Sequence, residues 1–192
     1  MVYPITREGS VFSLKETPWA GYCNVPPTRV TLAYDEEGLT VFFVCEEQNP
    51  RAEKTRHNTA VCCDSCMELF LQPAPRTDPH YINIEINPRG TVYCAVRTCR
   101  EDGVLMDEEA IAELKVETRV LPDRWEIRYR LEAEWIRRYV PDYRHERGQI
   151  LRANMYKCGD ETPCPHYGAF AAIAWEQPDF HRPEFFAEFV LA

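Results

Sequence analysis

The residues best equipped for chemistry are a set of cysteines with a histidine, a pair of glutamates, and a tryptophan beside polar strands. Cys62, Cys63, Cys66, Cys158, Cys164 and His166 invite a zinc reading. Cys63-x-x-Cys66 has metal-knuckle spacing, and Cys164-Pro165-His166 would complete four ligands. Against this, Cys66 opens a strand-like run, and residues three apart on a strand face opposite ways. Cys158-x5-Cys164 is also looser than a usual knuckle. No metal ligand and no catalytic residue is assigned. Glu68 and Glu85 would make a glycosidase pair if their carboxyls stood ~5–9 Å apart across a scissile bond. No further acids mark a long cleft, so O-glycosyl hydrolysis stays an alternative to binding.

Trp175 follows the apolar run 169–174 and precedes Glu176-Gln177-Pro178. At a strand end it would stand at a cleft rim, where an indole is a large plate for the C–H face of a pyranose. The bland reading is a core tryptophan. Asn83, Glu85 and Asn87 alternate with Ile82, Ile84 and Ile86. A solvated sheet face explains that pattern. So does a sugar-reading face, because Asn and Glu can each fix two hydroxyl donors or acceptors. Glu68 joins that face from a neighbouring strand. Asp102, Asp107, Glu108, Asp160 and Glu161 offer loop oxygens to calcium, but no loop has the Asp-x-Asp-x-Asp-Gly order, and solvated acidic loops are expected. His166 and His181 lie in Pro-rich loops and are read as braces for turns.

These residues need a scaffold of short strands. Residues 10–14 read as one strand. Residues 29–34 and 39–44 form a hairpin turned by Asp35-Glu36-Glu37-Gly38, with Gly38 expected at positive φ. Residues 48–59 are a long polar loop of the kind that often carries function. Strands 66–71 and 81–87 follow, and Pro88-Arg89-Gly90 turns the second into 91–97. Residues 101–109 read as an acidic loop. Residues 114–120 and 125–131 form a third hairpin, 133–139 a helical turn, and 150–156, 169–175 and 185–191 complete the strand set. Many short strands separated by Pro and Gly turns predict an all-β, antiparallel β-sandwich of jelly-roll type.

The 192 residues fit one domain, spanning 1–192, with no repeat or linker. A hydrophobic fraction of 45% and a net charge of -9 describe a soluble globular chain, and argue against nucleic acid or an anionic membrane as partner. No apolar run approaches the ~18 residues of a membrane span. Residues 1–9 lack a signal peptide's apolar core, which predicts a cytoplasmic location. In that reducing compartment the nine cysteines are expected as free, packed thiols. A Gly-rich phosphate loop, a Gly-x-Ser-x-Gly elbow and a basic aromatic stripe are all missing.

Asp64-Ser65-Cys66-Met67-Glu68-Leu69-Phe70-Leu71 resembles the Asp-Ser-x-x-Glu-x-Phe strand of family 9 carbohydrate-binding modules. Residues 81–90 are similar to the strand and turn that follow it. Residues 152–160, Trp175 and 178–186 resemble the C-terminal half of stand-alone bacterial proteins of this kind. The likeness runs in order over 41–192. It implies a non-catalytic saccharide-binding sandwich, of a type often attached to glycoside hydrolases and serving carbohydrate catabolism. Such modules hold a glycan's reducing end between two tryptophans and bind calcium elsewhere in the fold. By position, Trp175 matches the second slot tryptophan, Glu68 the strand glutamate, and Asn83 a sugar-contacting position. Asn154 lies in a strand supplying another polar contact. The first slot tryptophan falls at Cys62, which leaves Tyr81, Tyr167 or Trp19 to close the slot, or a one-sided slot. The resemblance thus implies a saccharide partner, structural calcium as the one cofactor, and a ligand-binding set of Trp175, Glu68, Asn83, Glu85, Asn154, Tyr156 and Tyr81. A degenerate sandwich serving protein contacts is the remaining alternative.

Overall fold

Turn residues cut the chain into short elements. In the computed structural model, which describes residues 1–192, these are Val2–Ile5 (β1), Ser10–Ser13 (β2), Thr28–Tyr34 (β3), Gly38–Cys45 (β4), Cys66–Gln72 (β5), Tyr81–Ile86 (β6), Val92–Arg97 (β7), Val104–Leu105 (β8), Glu108–Glu113 (α1), Glu117–Val120 (β9), Trp125–Glu132 (β10), Ala133–Tyr139 (α2), Ile150–Cys158 (β11), Tyr167–Ala169 (β12) and Ala187–Leu191 (β13). They form two sheets. One has eight strands, ordered β1-β13-β11-β5-β6-β7-β8 with β12 on β11; the other has five, ordered β2-β3-β4-β10-β9. The expected β-sandwich is present. Its ladders are antiparallel except for β1 beside β13, which run parallel.

Period-two alternation decides where the core lies. Met67, Leu69 and Leu71 of β5 and Ile82, Ile84 and Ile86 of β6 point inward. There they meet Val30, Leu32, Val41, Phe43, Ile127 and Leu131 of the second sheet in one cluster of 34 buried residues. The opposite residues of β5, Cys66 and Phe70, belong to a separate cluster of 11 with Trp19, Tyr81, Tyr156, Cys158, Phe180 and Phe186. The larger sheet is therefore buried on both faces, by the second sheet on one and by irregular chain on the other.

That cover overturns the solvated-face reading of Asn83, Glu85 and Asn87, all of which are buried. The physical reason is irregular chain packed over them, a tertiary event that strand periodicity does not report: Asn87 Nδ2 donates to the Lys54 carbonyl and to Asp64, while Trp19, Asp160, Phe180 and His181 gather around Glu85. The cover is stapled by a Cys23–Cys164 disulfide across 141 residues of sequence. This corrects the all-thiol expectation and removes Cys164 from any metal set. The other seven cysteines are free.

Three local expectations also change. Gly38 does not take a positive φ. It is glycine because a Cβ there would stand 2.2 Å from the Leu131 carbonyl oxygen on the neighbouring strand. Residues 101–109 include β8 and the start of α1, whose first turn is capped by Asp107 accepting from the Ala110 amide at 2.8 Å. The expected strand over 169–175 ends at Ala169. Beyond it the Asn154 side chain takes over the hydrogen bonding. Its Oδ1 accepts from the Ala171 amide at 2.9 Å, and its Nδ2 donates to the Ala171 carbonyl at 3.1 Å.

Candidate binding site

A cleft of about 230 Å³ opens through the irregular cover onto the outer face of the larger sheet. Trp19, Phe70, Tyr167, Phe180 and His181 wall it; Glu68, Glu85 and Cys158 are its buried polar groups, with Asp179 buried and Cys62 half-buried beside them; Arg100 and Asp160 are exposed and stand toward the mouth. The walls are fixed by packing. Phe180 stacks on Tyr156 at 4.0 Å between ring centres and 6° between planes. Trp19 donates through Nε1 to the Trp175 carbonyl at 2.8 Å. The Tyr81 hydroxyl and His181 Nδ1 share a hydrogen bond of 2.9 Å. His181 is held neutral, its basicity pushed down to about 3 by burial and by Arg97 and Arg100.

The cleft's acids come from two adjacent strands. Glu68 of β5 and Glu85 of β6 are direct cross-strand partners, an arrangement that penalises like charges. Both carboxyls are shifted toward the protonated form. Burial and then the Glu85 charge push Glu68 well above the ordinary carboxylate range. Burial raises Glu85 too, against the hydrogen bond from Asn83 and the charge of Arg97. Cys158 Sγ donates to Glu68 Oε1 at 2.9 Å. Asn83 Nδ2 donates to Glu85 Oε1 at 2.9 Å, while Asn83 Oδ1 accepts from Arg97 Nε at 2.9 Å. A protonated carboxyl both donates and accepts, which suits a hydroxyl-bearing ligand. At the mouth, Arg100 Nη2 stands 2.8 Å from Asp179 Oδ1, and burial raises the Asp160 carboxyl.

Of the expected site residues, the structure brings Glu68 and Glu85 together in the cleft lining. Asn83 lies beneath, as a relay between Arg97 and Glu85. Tyr81, Tyr156 and Asn154 are fully buried and support the walls. Tyr156 donates to the Phe180 carbonyl at 3.1 Å. Trp175 lies outside the lining and is 45% exposed. The Arg182 guanidinium carbon sits 3.4 Å from its ring centre. Phe180, Arg100 and Asp179 escaped the sequence reading as site residues, Asp160 was weighed only for calcium, and His181 was assigned only to bracing. They sit in loops, where no periodicity marks a face. The one available signal was the density of aromatic and charged residues in 178–186.

The cysteine–histidine zinc set weighed from the sequence, and not assigned there, does not assemble. Cys164 is disulfide-bonded, and His166 accepts through Nε2 from Lys157 Nζ at 2.7 Å while Nδ1 donates to the Cys164 carbonyl. Instead Cys66, Cys158 and Glu68 converge, their ligand atoms all within 4.8 Å of one another. Three of the five acids considered for calcium are engaged otherwise: Asp102 accepts from the Thr98 and Cys99 amides, Asp107 caps α1, and Glu161 lies 3.3 Å from Arg51.

Similarity to known proteins agrees with this architecture. Over its full length the chain superposes on a candidate carbohydrate-binding protein from Bacteroides uniformis, with a TM-score of 0.86, 21% identity and 97% of that chain covered. It also superposes on a family 9 carbohydrate-binding module from Caldicellulosiruptor kristjanssonii. The structure of that module with cellotriose gives a TM-score of 0.69, 10% identity and 93% coverage. The one with glucose gives 0.65, 11% and 96%. No curated protein matches the sequence. The family model described as carbohydrate-binding family 9 matches residues 8–191, and on that match the chain belongs to carbohydrate-binding family 9.

Proposed function

We propose that the protein binds a saccharide, without cleaving it, in the cleft above Glu68 and Glu85. The observation carrying this reading is the pairing of aromatic walls with buried, protonated carboxyls, a combination that offers plates to C–H faces and two-way hydrogen bonding to hydroxyls. Family membership and the cellotriose and glucose held by the structural neighbours support it. The two glutamates are cross-strand partners on one sheet face, whereas a glycosidase needs its carboxyls to flank the scissile bond; binding is the better fit. Trp175 then serves at the rim, extending the plate beyond Phe180 toward a longer glycan, in a protein associated with carbohydrate catabolism.

Titration calorimetry with glucose and a cello-oligosaccharide series tests this. Saturable binding weakened at least tenfold by Glu68→Ala, about 1.4 kcal/mol, is expected. The variant should fold, because it removes a buried polar group at the edge of the cleft and leaves the apolar core between the sheets untouched. Undiminished binding by Glu68→Ala would move the site elsewhere. Repeating the series with reduced alditols tells a chain-end site, which loses them, from one that reads internal units.

A further inference from the structure

We propose that the deep end of the cleft is a thiophilic metal site, in which Cys66, Cys158 and Glu68 hold a zinc-class divalent ion with a fourth position open to the cleft. Three adjoining positions create it. Cys66 and Cys158 are cross-strand partners on β5 and β11. Glu68 lies two residues beyond Cys66 and so shares its face. The three ligand atoms lie within 4.8 Å of one another, and Cys158 Sγ is 2.9 Å from Glu68 Oε1. Zinc bonds of about 2.3 Å to sulfur and 2.0–2.2 Å to oxygen require tetrahedral ligand separations of roughly 3.5–3.8 Å, so small side-chain rotations close the cage.

The donor set selects the ion. Two sulfurs and one carboxylate suit zinc, cadmium or cobalt and exclude calcium and magnesium, which take oxygen ligands. All three side chains are buried, at 0%, 1% and 2% exposure for Cys66, Cys158 and Glu68. On binding, the two thiols and the Glu68 carboxyl release their protons to solvent, and their three negative charges meet the two positive charges of the ion. Entry is through the cleft, which Glu68, Cys158 and Cys62 line. Metal binding and hydroxyl binding use Glu68 in different forms: the ion takes the ionised carboxylate, whereas a saccharide hydroxyl meets the protonated one.

The test uses the full chain with the Cys23–Cys164 disulfide intact, the other thiols reduced and any metal stripped by chelator, titrated with Co(II) and then Zn(II). Expected are about one Co(II) per chain, thiolate-to-cobalt charge-transfer absorption, and displacement by zinc. The Cys66→Ser/Cys158→Ser variant should lose that absorption. Cys94→Ser, a buried thiol in the other core cluster, should keep it. Should the double variant fail to fold, the difference in alkylation rate between metal-free and zinc-loaded wild type decides: zinc should slow alkylation of Cys66 and Cys158 and leave the equally buried Cys45 and Cys94 unchanged. Absence of charge transfer in the wild type, its survival in the double variant, or zinc-dependent protection of other cysteines instead would overturn the site.

Discussion

The two faces of the eight-stranded sheet are built from the same strands and the same alternation, yet they solve different problems. The inner face is apolar almost throughout and meets a second apolar sheet. Its one buried charge, Lys157, lies 3.2 Å from Glu47 and donates to the Cys158 carbonyl at 2.8 Å. The outer face carries Glu68, Asn83, Glu85, Asn154 and two thiols under a cover of loops. Apolar burial is non-directional and tolerates a plain pattern. Polar burial requires each group to find a partner, and on the outer face those partners come from side chains distant in sequence. The inner face makes the fold, while the outer face holds polar groups at the price of stability.

The largest expected effect falls where the inner face resembles the outer one. Lys157→Met leaves Glu47, whose side chain is 13% exposed, without its cation and should cost about 3–5 kcal/mol in urea unfolding; a loss below 1 kcal/mol would show that water reaches the pair. Ile84→Ala, on the same strand as Asn83 and Glu85 but facing inward, should cost about 2–5 kcal/mol by opening a cavity. Saccharide affinity should be unchanged, which calorimetry on the folded variant checks.

Glu85→Gln should do the reverse. The folded-state pKa of Glu85 is raised to about 7 from an unfolded value near 4.5, so the native state binds the proton more tightly. That contribution to stability is fully present below about pH 4.5 and is lost as pH rises through about 7. Glu68, raised further, acts in the same direction. Glu85→Gln should flatten this slope between pH 4.5 and 7 and stabilise the protein at neutral pH, on the order of 1–3 kcal/mol; an unchanged slope would assign it to another group. The smallest effect is Arg182→Ala, which removes the cation from the Trp175 ring. It should cost about 0.5–1 kcal/mol and alter Trp175 emission.

Legibility in the sequence divides along the same line. Ile82, Ile84 and Ile86 announce a buried face by period two, and the hairpins between β3 and β4 and between β9 and β10 follow from turn chemistry. Glu68 and Glu85 were legible as a facing pair because adjacent strands share a pattern. Their burial was not, because it depends on residues 16–23 meeting 159–186, and no local rule reports a contact across 141 residues. Asn154 reads as a strand polar group available to ligand, while its hydrogen bonds to Ala171 hold a loop. Gly38 reads as turn freedom, while its need is close approach to a neighbouring strand.

The parallel pairing of β1 with β13 has a mechanical consequence. Val2 lies opposite Glu188 and Ile5 opposite Leu191, and the Ala192 amide donates to the Ile5 carbonyl at 2.9 Å. Force drawing Met1 and Ala192 apart would run along this ladder in opposite senses, loading its evenly spaced hydrogen bonds together in shear instead of unzipping them one by one. A tether at each end would therefore pull first on a clasp at the sheet edge, leaving the cleft on β5 and β6 outside the load path until that clasp gives way.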